Sequence, residues 1–152
     1  MNETLSSAEE VGRKGAFRGY LVKVSNGMAL GLFASLIIGL ILRQAGGLLS
    51  MPSVELFGRI AQLLMGPAIG AGVAFAVGAP PLGLFSSLIA GAVGAGTFSF
   101  EGGAVAVAIG EPVGALVASL AGAEFSKRIA GKTGMDIIVV PAGTILVGGL
   151  TG

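Results

Sequence analysis

Two long runs without a charged side chain dominate the pattern of hydrophobic and polar positions. Val24 to Leu42 gives 19 such residues and Ile60 to Phe100 gives 41. About 20 consecutive apolar residues are enough to cross the hydrocarbon core of a bilayer. A soluble domain of 152 residues could not bury both runs, so the pattern predicts an integral membrane protein.

Clusters of glycine and proline divide the apolar sequence into helix-length segments and predict an all-α polytopic membrane protein. Gly78-Ala79-Pro80-Pro81 must end a helix, and Met65-Gly66-Pro67 is expected to bend the one before it. Ala45–Gly58 is expected to be a loop. The hydrophobic segments number about five, and we expect crossings near residues 25–42, 59–77, 82–100, 102–123 and 137–152.

Polarity divides the chain into two parts. Residues 1–23 are predicted to be a cytoplasmic polar tail or an interfacial helix, and residues 24–152 a membrane domain. The last apolar run ends without the basic or aromatic flank that commonly anchors a span. We therefore expect the domain to be the N-terminal part of a longer one, or to need a partner, such as a second copy of the chain, to complete its packing.

Glu111 stands alone in a glycine-rich apolar setting, with Glu101 and Glu124 as its nearest charged neighbours in sequence. Pro112 disfavours helix at the residue before it and is well placed as the first residue of a helix. The pattern predicts a helix from Pro112 to Arg128, capped by Gly131. Its 12 uncharged residues span roughly 18 Å, which is too short for a core of roughly 30 Å. A broken or re-entrant helix around Glu111-Pro112, with the acid near mid-depth, is therefore expected.

A carboxylate at a helix break inside a bilayer is a functional candidate by default. Glu111 offers only hydrogen-bond acceptors, which match the hydroxyls of a sugar or the proton of a relay. The structural alternative is an acid that accepts bonds from the N–H groups of a neighbouring half-helix. Small residues recur beside it at Gly110, Gly114, Ala118 and Gly122 and would let a backbone or a ligand approach.

Other polar residues are weaker candidates for the site. Glu101 is equally well explained as a ligand to the solute or as an acid at the far membrane surface. Four hydroxyls near the break could line a cavity, although hydroxyls in membrane helices more often bond their own backbone: Ser86, Ser87, Thr97 and Ser99.

Composition narrows the chemistry. Cysteine and histidine are both absent from the chain, which excludes disulfides, thiolate or imidazole catalysis and Cys/His metal sites. A phosphoryl group therefore has no histidine or cysteine carrier here, and we expect no metal, no cofactor and no catalytic nucleophile. The 28 glycines indicate closely packed helices and irregular backbone at membrane depth.

The basic residues indicate an orientation. With the five crossings above, seven of them fall on one side (Arg13, Lys14, Arg18, Lys23, Lys127, Arg128 and Lys132) and two on the other (Arg43 and Arg59). The positive-inside rule then places the N-terminus in the cytoplasm. Without interleaved aromatic residues or a reading helix, these charges do not predict nucleic-acid binding.

Three segments together resemble a known family. They are Asn26-Gly27-Met28-Ala29-Leu30-Gly31-Leu32-Phe33-Ala34-Ser35-Leu36-Ile37-Ile38-Gly39, then Gly110-Glu111-Pro112-Val113-Gly114-Ala115, then Gly131-Lys132-Thr133-Gly134-Met135-Asp136-Ile137-Ile138-Val139-Val140-Pro141. In this respect the chain is similar to the enzyme IIC membrane component of the bacterial phosphotransferase system, in its regulator-type, perfringolysin-regulator-like branch. The resemblance runs from about Val24 onward.

The resemblance implies a site and partners. In sugar-transporting members a Gly-x-x-Glu-Pro-type motif places a glutamate at the sugar; the matching residue is Glu111, with Gly110 and Pro112 shaping the turn. The motif here is not the full one. Soluble phosphoryl-carrier subunits are the implied partners and the bacterial cytoplasmic membrane the implied location, and any sugar phosphotransferase activity would need those subunits.

Three functions stay open from the sequence. The first is a IIC-like component that binds and translocates a polar solute, with a sugar as the expected class. The second is a membrane regulatory or sensor protein that does not transport. The third is a small homo-oligomeric channel or half-transporter, which the chain length and the glycine stripes would fit.

Overall fold

The computed structural model describes the backbone of residues 2–132 and 134–151, and the side chains of residues 12–99, 102–132 and 134–151. The order of elements is α1 (Asn2–Leu32), a π-helical turn (Phe33–Ile37), α2 (Ile38–Leu48), α3 (Pro52–Leu63), α4 (Met65–Ala76), α5 (Pro81–Gly94), β1 (Phe98–Glu101), β2 (Ala104–Val107), α6 (Pro112–Ile129) and α7 (Asp136–Thr151). The chain is mostly helical, as predicted. The strand pair β1–β2 departs from the all-α expectation.

One helix of the described chain is long and apolar enough to cross a membrane. It is Gly12–Leu48, which runs through α1, the π turn and α2 without a break. The helices α3 and α4 meet the same test only when taken together, and they are bent by 54°. The helices α5 and α7 are apolar but shorter. The five predicted crossings therefore remain a prediction.

The second predicted segment differs from the structure in two respects. The helical region begins at Pro52 rather than near Arg59, so the expected loop over Ala45–Gly58 shrinks to a short link between α2 and α3. The bend lies at Leu64, before the predicted Met65-Gly66-Pro67. Proline is tolerated at both helix starts because the first turn of a helix has no partner for its N–H groups.

Glycines allow α1 to pack backbone-to-backbone on α4. A β-carbon at Gly27 would lie 2.5 Å from the carbonyl oxygen of Gly72, and one at Gly31 would lie 2.6 Å from that of Ala68. Farther along, a β-carbon at Gly39 would lie 2.8 Å from the carbonyl oxygen of Gly58. Gly27 and Gly31 thus form a contact surface for α4, and Gly39 forms one for α3.

The remaining helices pack on the other side of α4. α5 contacts α4, α6 and α7, and α6 also contacts α4 and α7. A hydrogen bond of 2.5 Å from the Tyr20 hydroxyl to Glu124 Oε1 joins α1 to α6, and Lys127 Nζ donates to the same oxygen over 2.8 Å. The long helix is therefore fixed to the α4–α7 group near its N-terminal half.

The close approach of α1 and α4 predicts an asymmetric response to alanine. Gly27→Ala should lower the thermal unfolding temperature of the detergent-solubilised protein, because its methyl group would overlap the backbone of α4 at a cost of about 1–3 kcal/mol. Gly19→Ala on the same helix has nothing within 4 Å and should leave the temperature unchanged or raise it. Equal temperatures for both variants would contradict this packing.

Candidate functional site

The helical chain is interrupted between Gly94 and Pro112 by a β-hairpin. Phe98 pairs with Val107 and Glu101 with Ala104 in antiparallel register. Gly102 and Gly103 form the two-residue turn, with φ of 59° and 86°, as a type I′ turn requires. The segment that was expected to cross or re-enter thus folds back on itself. The predicted helix after it is confirmed at Pro112–Ile129, and Gly131 follows with φ of 77°.

Backbone hydrogen bonds extend the hairpin down to the helix ends. The N–H of Ala108 donates to the carbonyl of Thr97 over 3.0 Å, and that of Glu111 donates to Ala95 over 2.9 Å. Ile109 and Gly110 lie between these two bonds, opposite Gly96 in the turn that ends α5. Glu111 is thereby fixed to the end of α5.

Two glycines allow this junction to close. A β-carbon at Gly110 would overlap the backbone of Ala95, and one at Gly114 would overlap the carbonyl oxygen of Gly94. Pro112 occupies the first turn of α6, as predicted. The structure therefore brings together three of the predicted site residues, Gly110, Glu111 and Pro112, at the break.

The Glu111 side chain remains available at this junction. Its backbone is extended, with φ of −100° and ψ of 140°, and the residue is the N-cap of α6 without making a side-chain capping bond. The side chain is exposed, and Oε1 lies 3.4 Å from the position that a β-carbon on Gly114 would occupy. The carboxylate thus lies over the first turn of α6, with its acceptor sites open.

Contacts along the long helix give the level of the break. Gly66 packs against Gly91 and Ala95 at the end of α5. On the side facing the long helix, α4 contacts Gly31 and α3 contacts Gly39. Gly66 lies between these two contacts along the chain, so it is at the same height along the long helix as the segment between Gly31 and Gly39. The π turn Phe33–Ile37 occupies that segment and contacts both α3 and α4. Phe33 is also the midpoint of the charge-free run 24–42.

Glu101 is not brought to the same place. It ends β1 directly before the turn, at the far end of a four-residue strand whose first and last residues are separated by roughly 10 Å. Its side chain lies outside the part of the chain that the structure describes. Within the described ranges, no group of three or more acidic side chains is placed to share a metal ion.

The four hydroxyls near the break differ in their surroundings. Ser86 and Ser87 donate to the carbonyls of Leu82 and Gly83, one turn back on α5, so the predicted backbone bonding is confirmed for them. Ser99 is exposed. Thr97 is 2% exposed, and its hydroxyl has no hydrogen-bond partner among the residues that the structure describes. Such a group is costly to bury, and it lies 3.2 Å from where a β-carbon on Gly66 would be.

Sequence reasoning used Arg43 and Arg59 only to orient the chain, but both line a pocket beside the hairpin together with Gln62. The signal that could have revealed it is Gln62, an amide within an apolar stretch. A buried amide needs partners, and Gln62 is only 5% exposed.

Comparison with known proteins gives one positive result. The family model described as "Phosphotransferase system, EIIC" matches residues 22–152. No curated protein and no solved structure matches the chain.

The unpaired hydroxyl of Thr97 leads to a stability prediction. Thr97→Val keeps the β-branched shape and removes the buried polar atom. The free energy of unfolding should therefore stay the same or rise by at most about 1 kcal/mol, and the unfolding temperature should follow it. Thr144→Val is the matched control, because the Thr144 hydroxyl is equally buried but donates to Val140 over 2.7 Å. That variant should be less stable than wild type. Equal losses in the two variants would mean that Thr97 is paired.

Proposed function

The chain belongs to the phosphotransferase system EIIC family, and from this membership we propose that it binds and translocates a polar solute at the helix break that contains Glu111. As a family member it is a membrane component that works with other components of a phosphotransferase system. Sugars are the expected class of solute. The proposed location is the bacterial cytoplasmic membrane, with the chain crossing several times.

The observation that supports the proposal is an open carboxylate at the junction of α5 and α6, level by helix contacts with the charge-free run 24–42 of the long helix. Glu111 is the N-cap of α6, its N–H donates to the carbonyl of Ala95, and its side chain makes no capping bond. A carboxylate at mid-depth in a bilayer is too costly to face lipid and belongs against a cavity or a partner. Because it can only accept hydrogen bonds, it suits the hydroxyl groups of a sugar.

In this proposal, Gly110 and Pro112 contribute to the solute site by setting the backbone conformation around Glu111. Gly110 permits contact with Ala95, and Pro112 starts the helix without needing a partner for its nitrogen. Together they hold Glu111 in an extended conformation between two helix ends. Glu101, at the far end of the hairpin backbone, stays a proposed ligand to the solute that is separate from Glu111.

Because the chain has no cysteine and no histidine, the proposal assigns the phosphoryl carrier to a partner and solute binding to this chain. Phosphoryl transfer through a covalent protein intermediate would use a histidine or a cysteine of a partner, since the chain has neither. The role proposed for this chain is to bind the solute and present one of its hydroxyl groups to that partner.

The acid at the break provides the direct test. Glu111→Gln should reduce flux of labelled sugars into proteoliposomes by about tenfold or more, because a hydrogen bond to a charged acceptor is replaced by a weaker one. The unfolding temperature should stay near that of wild type, since the carboxylate makes no capping bond. Glu55→Gln, an acid in the first turn of α3, is the control and should transport normally. Wild-type flux through Glu111→Gln would refute the site.

The proposed orientation has its own test, which is simple because the chain has no cysteine. The variant Ser53→Cys, changed in the first turn of α3, should react with a membrane-impermeant maleimide in intact cells. A cysteine at Lys132 should react only after the cells are permeabilised, since positive residues stay in the cytoplasm. The reverse labelling pattern would invert the topology.

A further inference from the structure

A pocket of about 230 Å³ lies between the α2–α3 pair and the second arm of the hairpin. Its wall includes both charged and apolar groups: Arg43, Arg59, Gln62, Leu63, Val107, Ala108 and Ile109. Arg43 belongs to α2, Arg59 and Gln62 belong to α3, and the last three residues lead from β2 toward Glu111. Three separate segments of the chain therefore meet around one space.

Gly58 brings the two arginines close to each other. A β-carbon at Gly58 would overlap the backbone nitrogen of Arg43, so α2 and α3 touch through their main chains immediately beside Arg59. Both arginine side chains line the pocket beside this contact, and both are exposed. Two positive charges therefore face one space that is open to solvent.

Within the described part of the chain, no carboxylate neutralises these charges. The ion pair formed there is Lys127 with Glu124, on α6. Glu55 is one helical turn before Arg59 but does not come within 4.0 Å of it. Arginine has five N–H donors and no acceptor, in a fork that matches a carboxylate or a phosphate.

Gln62 adds a polar group to the wall of the pocket. The residue is only 5% exposed, and it lines the same space as the two arginines. Its NH₂ group adds further donors beside the two guanidinium groups.

We propose that this pocket binds an oxyanion, a carboxylate or a phosphate, held by Arg43, Arg59 and the Gln62 amide. The apolar wall from Leu63 and β2 contacts the rest of the bound molecule. The oxyanion is an anionic substituent of the solute or the headgroup of a phospholipid. Ile109 is two residues from Glu111, or roughly 7 Å of extended chain, and this proximity favours the solute, which would then be an acidic sugar. The choice of the solute as the source rests on the proposed function, whereas oxyanion binding by the pocket itself does not depend on Glu111 binding a solute.

Binding of named probes to the purified full-length chain tests this proposal. Titration calorimetry compares glucuronate, inorganic phosphate and glucose, and native mass spectrometry compares retained phosphatidylglycerol with phosphatidylcholine. The variants are Arg43→Gln with Arg59→Gln, the same pair changed to lysine, and Arg18→Gln as an exposed arginine on α1 away from the pocket. Unfolding temperatures check that each variant folds.

The proposal expects glucuronate or phosphate to bind wild type and to lose about tenfold or more in affinity in the double glutamine variant. The double lysine variant should be intermediate, because it keeps the charge and loses the fork. Loss of phosphatidylglycerol alone from the double glutamine variant would support the lipid source. No bound oxyanion, or equal effects of the double glutamine variant and Arg18→Gln, would overturn the pocket. Flux through Glu111→Gln reports separately on the break.

Discussion

Direct backbone contact between the end of α5 and the start of α6 is the constraint on which the rest of the site depends. Gly110 meets Ala95, and Gly114 meets Gly94, at separations that leave no room for a β-carbon. Side chains at either glycine would push the two helix ends apart and open the base of the hairpin. The glycines therefore act by being small, and the position of Glu111 is a consequence of their packing rather than of any bond made by the acid itself.

The same junction provides hydrogen-bond partners where the chain leaves helical conformation. Inside a bilayer, such a segment is tolerated only where its backbone groups find partners. Here the N–H groups of Ala95, Gly96 and Thr97 donate to the last turn of α5, and the hairpin ladder continues to Glu111. The main chain near the break is thus largely satisfied. What remains open is side-chain chemistry, the Thr97 hydroxyl and the Glu111 carboxylate.

Short sequence signals predicted the break in the helix. They did not predict the features that depend on contacts between residues far apart in the sequence. Glu111-Pro112 and Gly131 gave both ends of α6, because a proline and a glycine restrict their own backbone. The start of α3 at Pro52 and the closeness of Arg43 to Arg59 depend on Gly58 packing on α2, which sequence spacing does not reveal. The hairpin was within reach: Glu101-Gly102-Gly103-Ala104 followed by alternating alanine and valine is typical of a two-residue turn and a strand. Its apolar character favoured the interpretation as part of a crossing.

The two sides of the hairpin base offer opposite hydrogen-bonding chemistry, and this difference bears on which solute is bound. Glu111 can only accept, so any molecule with hydroxyl groups satisfies it, and the acid alone does not distinguish one sugar from another. The arginine pocket can donate from two guanidinium groups and one amide, and a neutral sugar would leave those charges unneutralised. Both arginines are exposed, so the discrimination expected of the pocket comes from their charge and from the fork geometry of the guanidinium groups rather than from burial. In the proposed site, selection among sugars by charge would come from the pocket built by α2, α3 and β2, while Glu111 would provide the contact that all of them share.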